Sequence, residues 1–181
     1  MHYTLGEYIL DLVQNSVEAA ASQITLTVAE TDDAIRVTLT DDGRGMDAET
    51  LRRALDPFYT DGVKHPGRTV GLGLPFLRQM LESIGGAFEI ESTPGEGTTL
   101  AFTVPVGHID TPPTGDILGT VHRALCFSGG YEMTIRRIRG TREYTIRRGE
   151  LRDALGELDT AGSQELLEDY IRSQEADLED N

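Results

Sequence analysis

The sequence has 181 residues, which is enough for one domain of ordinary size or for one domain with a small appendage. Its formal net charge of -15 disfavours nucleic acid and anionic membrane surfaces as partners, because both would repel an acidic surface. Cys126 is the only cysteine, which excludes an internal disulfide and a cysteine-cluster zinc site and favours a reducing, cytoplasmic setting.

No stretch of the sequence resembles a targeting signal or a membrane anchor. The N-terminus lacks a basic region followed by an apolar core, and no apolar run approaches the roughly 18 residues that a membrane helix requires. We therefore expect a protein that is neither secreted nor membrane-anchored.

The N-terminal segment has the pattern of a helix from Thr4 to Ala21. Thr4 and Glu7 have the spacing of a capping box, and apolar residues from Leu5 to Ala20 recur at helical intervals, which predicts one buried face. The more polar side carries a stripe of four residues, Glu7, Asp11, Asn15 and Glu18. A solvated helix face is the ordinary interpretation of such a stripe.

Alternating apolar residues then predict a hairpin over residues 24–39. It leads into the segment Asp-Asp-Gly-Arg-Gly-Met at 41–46, which in isolation is typical of a simple turn, since Asp and Gly both tolerate left-handed backbone angles. Asp47 has the properties of an N-cap for a short helix that ends near Leu55.

Residues 60–71 lack periodicity and are rich in Gly and Pro, and a loop of this length inside a compact domain is usually functional or disordered. A second buried helix is predicted from Leu74 to Ile84, followed by a second hairpin over residues 88–104. The order of these elements predicts a sheet covered by helices on one face.

The character of the sequence changes near Gly107. We divide the chain into a first domain at 1–106 and a small α+β C-terminal domain or extension at 107–181. The second part is predicted to contain a linker at 111–115, a helix at 117–125, a hairpin at 131–148, helices at 150–158 and 163–172, and a frayed or disordered acidic end at 175–181. The hairpin carries six arginines and two glutamates, which fits either a partner-binding surface or an ordinary polar sheet face.

Five short motifs resemble those of the GHKL ATPases (gyrase, Hsp90, histidine kinase and MutL), and they occur in that superfamily's order. They are the N-box at 11–19, the Asp-x-Gly-x-Gly motif at 41–45, the F-box at 56–60, the second glycine box at 71–74 and the closing Gly-x-Gly-Thr at 95–98. Each motif is weak alone, but their ordered occurrence is specific. The resemblance implies an α+β fold, the two-layer α/β sandwich of Bergerat ATP-binding domains, with a small C-terminal α+β appendage.

The resemblance also implies an adenine pocket in which Asp41 accepts a hydrogen bond from the exocyclic amine. Gly43 and Gly45 would let the base approach the backbone, and Thr98 would reach Asp41 and the base through a water molecule. Asn15 offers an amide oxygen to Mg2+, which prefers oxygen ligands. The other expected nucleotide contacts are Met46, Lys64, Arg68, Gly71, Leu72, Gly73 and Leu74, with residues 60–70 as an ATP lid and the 71–74 backbone facing phosphate.

Asp11 is the candidate catalytic residue, because it lies four residues before Asn15, where the gyrase, Hsp90 and MutL branch carries a water-activating glutamate. A general base must come within about 3 Å of its proton, directly or through one water, so the shorter aspartate puts the hydrolytic rate in doubt. Glu7 and Glu18 are weaker candidates on the same stripe.

Other motif interpretations fail on particular residues. Phe76 occupies the place of the third glycine of a dinucleotide fingerprint, no Gly-Lys-Ser/Thr triplet is present, and the glycines within 41–47 rule out a calcium loop. The four histidines share no metal-ligand spacing.

Two functional hypotheses remain open. The first is a Mg2+-dependent ATPase or protein kinase in a bacterial regulatory or maturation system, and we expect it to lack its own phosphoacceptor histidine domain because only three residues precede the N-box helix. The segments at 71–75, 115–120 and 148–156 also resemble small standalone bacterial ATP-binding proteins. The second is a non-catalytic module in which ATP orders the lid and so switches a protein partner. The expected partners are ATP or ADP, a protein of unknown identity and, as a homodimer, a second copy of the chain.

Overall fold

The computed structural model describes residues 4–58 and 73–179, which form helices and strands along nearly their whole length. In chain order these elements are helix α1 (Leu5–Glu18), strands β1 (Gln23–Glu30) and β2 (Ala34–Asp41), helices α2 (Ala48–Ala54) and α3 (Gly73–Ile84), strands β3 (Ala87–Thr93) and β4 (Gly97–Pro105), helix α4 (Ile117–Leu125), strands β5 (Glu132–Arg139) and β6 (Arg142–Arg147), and helices α5 (Arg148–Leu155) and α6 (Ala161–Glu179).

The strands form a single sheet in the order β3-β4-β2-β1-β5-β6. Neighbouring strands are antiparallel except for β1 and β5, which run parallel, with Gln23 opposite Glu132 and Glu30 opposite Arg139. The residues after 106 therefore add two strands to the sheet that the first half of the chain builds.

Alternation of apolar and polar residues gives the sheet one buried face. Ile24, Leu26 and Val28 of β1 are at most 2% exposed and pack beneath the helices. Helix α1 contacts α3 and α4, and α4 contacts α6, so the helices form one layer over this face. The expected α+β, two-layer architecture is confirmed.

Local signals place the helix starts where the sequence indicates. In α1 the Thr4 hydroxyl accepts a hydrogen bond from the Glu7 N–H at 3.3 Å, while the Glu7 carboxylate accepts one from the Thr4 N–H at 3.0 Å, so the capping box forms. In α2 the Asp47 carboxylate accepts a hydrogen bond from the Thr50 N–H at 2.7 Å.

The prediction of a frayed acidic end was wrong up to residue 179, because α6 continues to Glu179. Glu175 accepts a hydrogen bond from the Arg137 guanidinium at 2.9 Å, and Leu178 is 6% exposed. These contacts with the sheet offset the like-charge repulsion that makes the segment look unstable in isolation. Within the described ranges, no helix has both the length and the apolar character needed to cross a bilayer.

Candidate nucleotide-binding site

The main candidate site is a cavity of about 250 Å³ between α1, the end of β2, the start of α3 and the hairpin of β3 and β4. Seven expected site residues line it: Asn15, Asp41, Gly45, Met46, Gly73, Leu74 and Thr98. Its apolar wall is built by Leu12, Leu39, Ala54, Ile90 and Leu100. The combination of an apolar lining and a few polar groups is typical of small-molecule sites.

Asp41 is the buried acid of the cavity, at 8% exposure. Its Oδ2 accepts a hydrogen bond from the Ser16 hydroxyl at 2.6 Å, and its Oδ1 accepts one from the Gly43 N–H at 2.9 Å. Both donors are neutral, so the carboxylate is fixed in orientation while its charge is not paired with a cation in these contacts. The sequence prediction missed Ser16, and its only signal was a small polar residue directly after Asn15 on the buried side of α1.

Gly45 is required by the protein's own backbone. It has φ +63°, and a Cβ there would lie 1.9 Å from the Thr93 carbonyl oxygen. Gly97 faces the same constraint from the other side, because its Cβ would lie 1.9 Å from the Asp41 carbonyl oxygen. The glycines thus let the 41–46 segment and the β3–β4 turn cross in contact, which positions Asp41 before any ligand binds.

Ser92 joins the two walls of the cavity and was also missed from the sequence. Its hydroxyl accepts a hydrogen bond from the Met46 N–H at 2.9 Å and donates one to the Gly97 carbonyl at 3.1 Å. It also lies 2.9 Å from the Thr98 hydroxyl, and Thr98 faces Asp41 in the β2–β4 register. Ser92 therefore fixes Met46 and Thr98 relative to Asp41.

Asp42, the acid next to Asp41, has a structural role outside the cavity. Its carboxylate accepts hydrogen bonds from the Ser22 hydroxyl at 2.5 Å, the Gln23 N–H at 2.8 Å and the Ser22 N–H at 2.7 Å. The Ser22 hydroxyl and the Gln23 N–H are the main reasons that the pKa of Asp42 lies below its usual value. The two adjacent acids thus have different tasks, one in the cavity and one at the entry to β1.

The polar stripe of α1 is only partly directed at the cavity. Asn15 and Glu18 line it, whereas Asp11, one turn towards the N-terminus, is not part of the described lining. The Glu18 carboxylate accepts a hydrogen bond from the Gln14 side chain at 3.1 Å. Asn15 and Glu18 offer only oxygen atoms to a metal, and this donor chemistry fits Mg2+, which keeps several waters and bridges phosphates.

Four expected nucleotide contacts, Lys64, Arg68, Gly71 and Leu72, lie outside the described residues, as does the expected lid at 60–70. Gly73 and Leu74 begin α3 and reach the cavity, so the first turn of this helix faces the site. A helix start presents unpaired N–H groups and a positive dipole end, both of which favour phosphate.

The sandwich, the carboxylate at the end of β2 and the glycine-linked segments around it define a GHKL-type ATP-binding domain of the Bergerat fold. Residues 3–108 match the family model described as histidine kinase-, DNA gyrase B- and HSP90-like ATPase. This match covers more than half of the sequence, and the chain belongs to this family.

Sequence relatives point to the histidine kinase branch. The chain is 35% identical over 120 residues to the non-motile and phage-resistance protein of Caulobacter vibrioides, covering 62% of this chain and 14% of the relative. It is 34% identical over 105 residues to the sensor histidine kinase ZraS of Klebsiella oxytoca, covering 56% of this chain and 22% of the relative. The chain therefore spans less than a quarter of the length of these relatives.

Among solved structures, the nucleotide-free catalytic domain of the histidine kinase ThkA is similar to this chain. It is 25% identical, with a TM-score of 0.42, and the match covers 55% of this chain and 65% of that domain.

Proposed function

We propose that the chain binds ATP and ADP with Mg2+ in the cavity and acts as an ATPase or protein kinase towards a partner protein in a bacterial regulatory or maturation system. The observation that carries the proposal is the Asp41 carboxylate, which Ser16 and Gly43 hold in the lining of a largely apolar cavity. Its free acceptor capacity suits the exocyclic amine of adenine. The single cysteine supports a cytoplasmic location.

In this proposal each part of the cavity contacts one part of the bound nucleotide. The apolar wall and the 41–46 backbone hold the base, Asp41 and Thr98 orient it, and the first turn of α3 faces the phosphates. Asn15, with Glu18 beside it, would hold Mg2+, which when bound neutralises charge on the transferred phosphoryl group. Lys64 and Arg68 remain candidate phosphate contacts in the proposal.

A calorimetric titration with ADP tests nucleotide binding directly. The Asp41→Asn variant should bind ADP at least about 30-fold more weakly than wild type, since losing one partner of a buried charged hydrogen bond costs about 2 kcal/mol or more. Asp42→Asn is the matched control, because it removes the adjacent charge outside the cavity, and its ADP affinity should be unchanged. Equal loss of affinity in both variants, or no binding to wild type, contradicts the proposed site.

Non-catalytic switching is the second candidate, and it is favoured by the position of Asp11 outside the described cavity lining. Phosphate release should therefore be compared between wild type, Asp11→Asn and Glu18→Gln. Turnover that disappears in Asp11→Asn supports hydrolysis with Asp11 as the base. Negligible turnover in all three proteins, with ADP affinity retained, supports a binding module.

A further inference from the structure

Strand β3 forms one edge of the sheet. It pairs with β4 on one side, and across residues 4–58 and 73–179 it has no strand partner on the other. Its helix-facing residues Phe88 and Ile90 are only half-buried. An edge of this kind presents unpaired N–H and C=O groups that can template an added strand.

A second cavity, of about 380 Å³, lies beside this edge between β3 and helix α3. Its apolar lining includes Leu55, Leu81, Phe88 and Ile90. Arg78 and Glu82, which form an ion pair at 2.9 Å, line it as well. A strand added to β3 would direct every second side chain towards this cavity, because side chains alternate between the two faces of a sheet.

The charge on β3 selects what can be added. Glu89 and Glu91 are exposed on the open face of the sheet. The Arg36 guanidinium lies 4.0 Å from the Glu89 carboxylate. An antiparallel pair of two β3 strands centred on Glu89, Ile90 or Glu91 would place glutamates opposite glutamates, which is destabilising. A second copy of the chain is therefore a poor partner at this edge, and a basic strand is a good one.

We infer that β3 is a docking edge for an extended segment of a partner protein, in which basic residues alternate with apolar ones. The basic side chains lie opposite Glu89 and Glu91 on the open face, and an apolar side chain enters the second cavity. Main-chain hydrogen bonds supply affinity, and the cavity and the two glutamates supply specificity, as in other strand-addition complexes.

The docking edge and the nucleotide site share a wall. Ile90 lines both cavities, and Ala54 of the nucleotide cavity is followed directly by Leu55 of the second cavity. A side chain that enters the second cavity therefore presses on residues that contact the nucleotide. Partner binding and nucleotide binding are coupled through this wall, and this part of the inference rests on the proposed function.

Docking can be tested without nucleotide, using a fluorescein-labelled synthetic peptide of sequence Thr-Lys-Val-Lys-Leu-Lys-Thr and the full chain. We expect saturable binding by fluorescence anisotropy and backbone amide shifts along residues 87–93 by NMR. Two control peptides should bind at least tenfold more weakly, one with glutamate for each lysine and one with alternate backbone amides N-methylated. Equal binding of the N-methylated peptide, or shifts located elsewhere, overturns the inference.

Charge reversal in the protein supplies the matched test. The variant Glu89→Lys/Glu91→Lys should bind the lysine peptide at least tenfold more weakly than wild type. Glu157→Lys/Glu165→Lys makes the same change in net charge at exposed sites distant from β3 and should bind as wild type does. An equal loss in both double variants would show that only overall charge attracts the peptide, and would overturn the docking edge.

Coupling is measured by titrating ADP with and without saturating lysine peptide. Because coupling is reciprocal, the peptide should change the ADP dissociation constant by about fivefold or more, and ADP should change the peptide's by the same factor. Unchanged constants overturn the coupling. A protein that binds peptide but no ADP refutes the proposed function and leaves the docking edge standing.

Discussion

Two regions of the molecule bury acidic or basic side chains in opposite ways. At the nucleotide cavity, the Asp41 carboxylate is held by two neutral donors and keeps acceptor capacity at the cavity surface. Under α6, Arg137 is 2% exposed, and its guanidinium donates hydrogen bonds to Glu175 and to the Val28 carbonyl. The first arrangement leaves chemistry available to a ligand, whereas the second satisfies the charge within the protein.

One further hairpin arginine, Arg148, is buried and satisfied within the protein as Arg137 is. Arg148 is 7% exposed, donates hydrogen bonds to the carbonyls of Leu125 at 2.9 Å and Tyr131 at 2.8 Å, and lies 4.3 Å from the centre of the Tyr131 ring. The others bond to acidic side chains or a carbonyl: Arg136 to Glu143, Arg139 to Glu179, Arg142 to the Asp177 carbonyl and Arg147 to Glu150. These four arginines are exposed, so the burial that gives Arg137 and Arg148 a structural role does not extend to the rest of the hairpin.

The largest expected effect on stability comes from breaking the buried ion pair between Arg137 and Glu175. Arg137→Met should lower the free energy of unfolding by about 3 kcal/mol or more, because it leaves Glu175 partly buried without its cation. ADP affinity of the folded fraction should not change. Arg136→Met is the control, since its ion pair with Glu143 is exposed and should be worth under about 1 kcal/mol. Urea denaturation measures the free energy of unfolding of both variants. Equal losses of stability would refute the distinction between the buried and the exposed ion pair.

The cavity should respond to a change in backbone shape. Gly45→Ala should cost roughly 2–4 kcal/mol of stability, because it adds left-handed strain to a clash with the Thr93 carbonyl. Gly95→Ala has similar strain, at φ +80°, but no atom within 4 Å of its Cβ, and should cost only about 1–2 kcal/mol. Thermal melts and ADP titrations should show the larger loss, and weakened binding, only for Gly45→Ala.

A smaller effect is expected on ADP affinity when the hydroxyl that orients Asp41 is removed. Ser16→Ala should weaken ADP binding by about 1–2 kcal/mol, roughly tenfold, because Asp41 loses the hydroxyl that orients it. Ser163→Ala removes a buried hydroxyl that donates to the Leu155 carbonyl, far from the cavity, and should leave ADP affinity intact. Calorimetry distinguishes them, and equal ADP affinity in the two variants would contradict the role of Ser16.

The smallest expected effect is a pH dependence of stability around Tyr144, which donates a hydrogen bond to Glu175. Burial, and then the hydrogen bond to Glu175, raises the pKa of Tyr144. A raised folded-state pKa gives stability that is complete below the unfolded value of about 10 and is lost as pH rises above it. Tyr144→Phe should therefore cost about 1 kcal/mol at pH 7 and lose less stability than wild type between about pH 9 and 11. If the free energies of unfolding of the two proteins fall in parallel over this pH range, the role of Tyr144 is contradicted.

Local signals predicted most of the fold because they act within a few residues. The capping box of α1, the N-cap of α2 and the alternation in each strand all depend on neighbours along the chain. The same holds for Asp41 and the glycines, whose spacing is short. Ser16 reaches Asp41 over 25 residues and Ser92 reaches Met46 over 46, so sequence spacing did not reveal them.

The end of α6 escaped prediction for a related reason. Its acidic residues look self-repelling until the arginines of β5 lie beside them, and Glu175 is 38 residues from Arg137. The order of the elements indicated layers of helix and sheet but not the strand to which the C-terminal hairpin would pair. Such pairings depend on the packing of the whole sheet.

The parallel pairing of β1 with β5 sets when the protein can finish folding. Gln23 lies opposite Glu132, so the outer edge of β1 remains open during synthesis until more than a hundred further residues have been made. A chain cut near residue 106 would keep that edge exposed, with Ile24, Leu26 and Val28 behind it, and would be prone to aggregate through it. The C-terminal strands thus cover the open edge of the sheet that carries the nucleotide cavity, and they do so only after they have been synthesised.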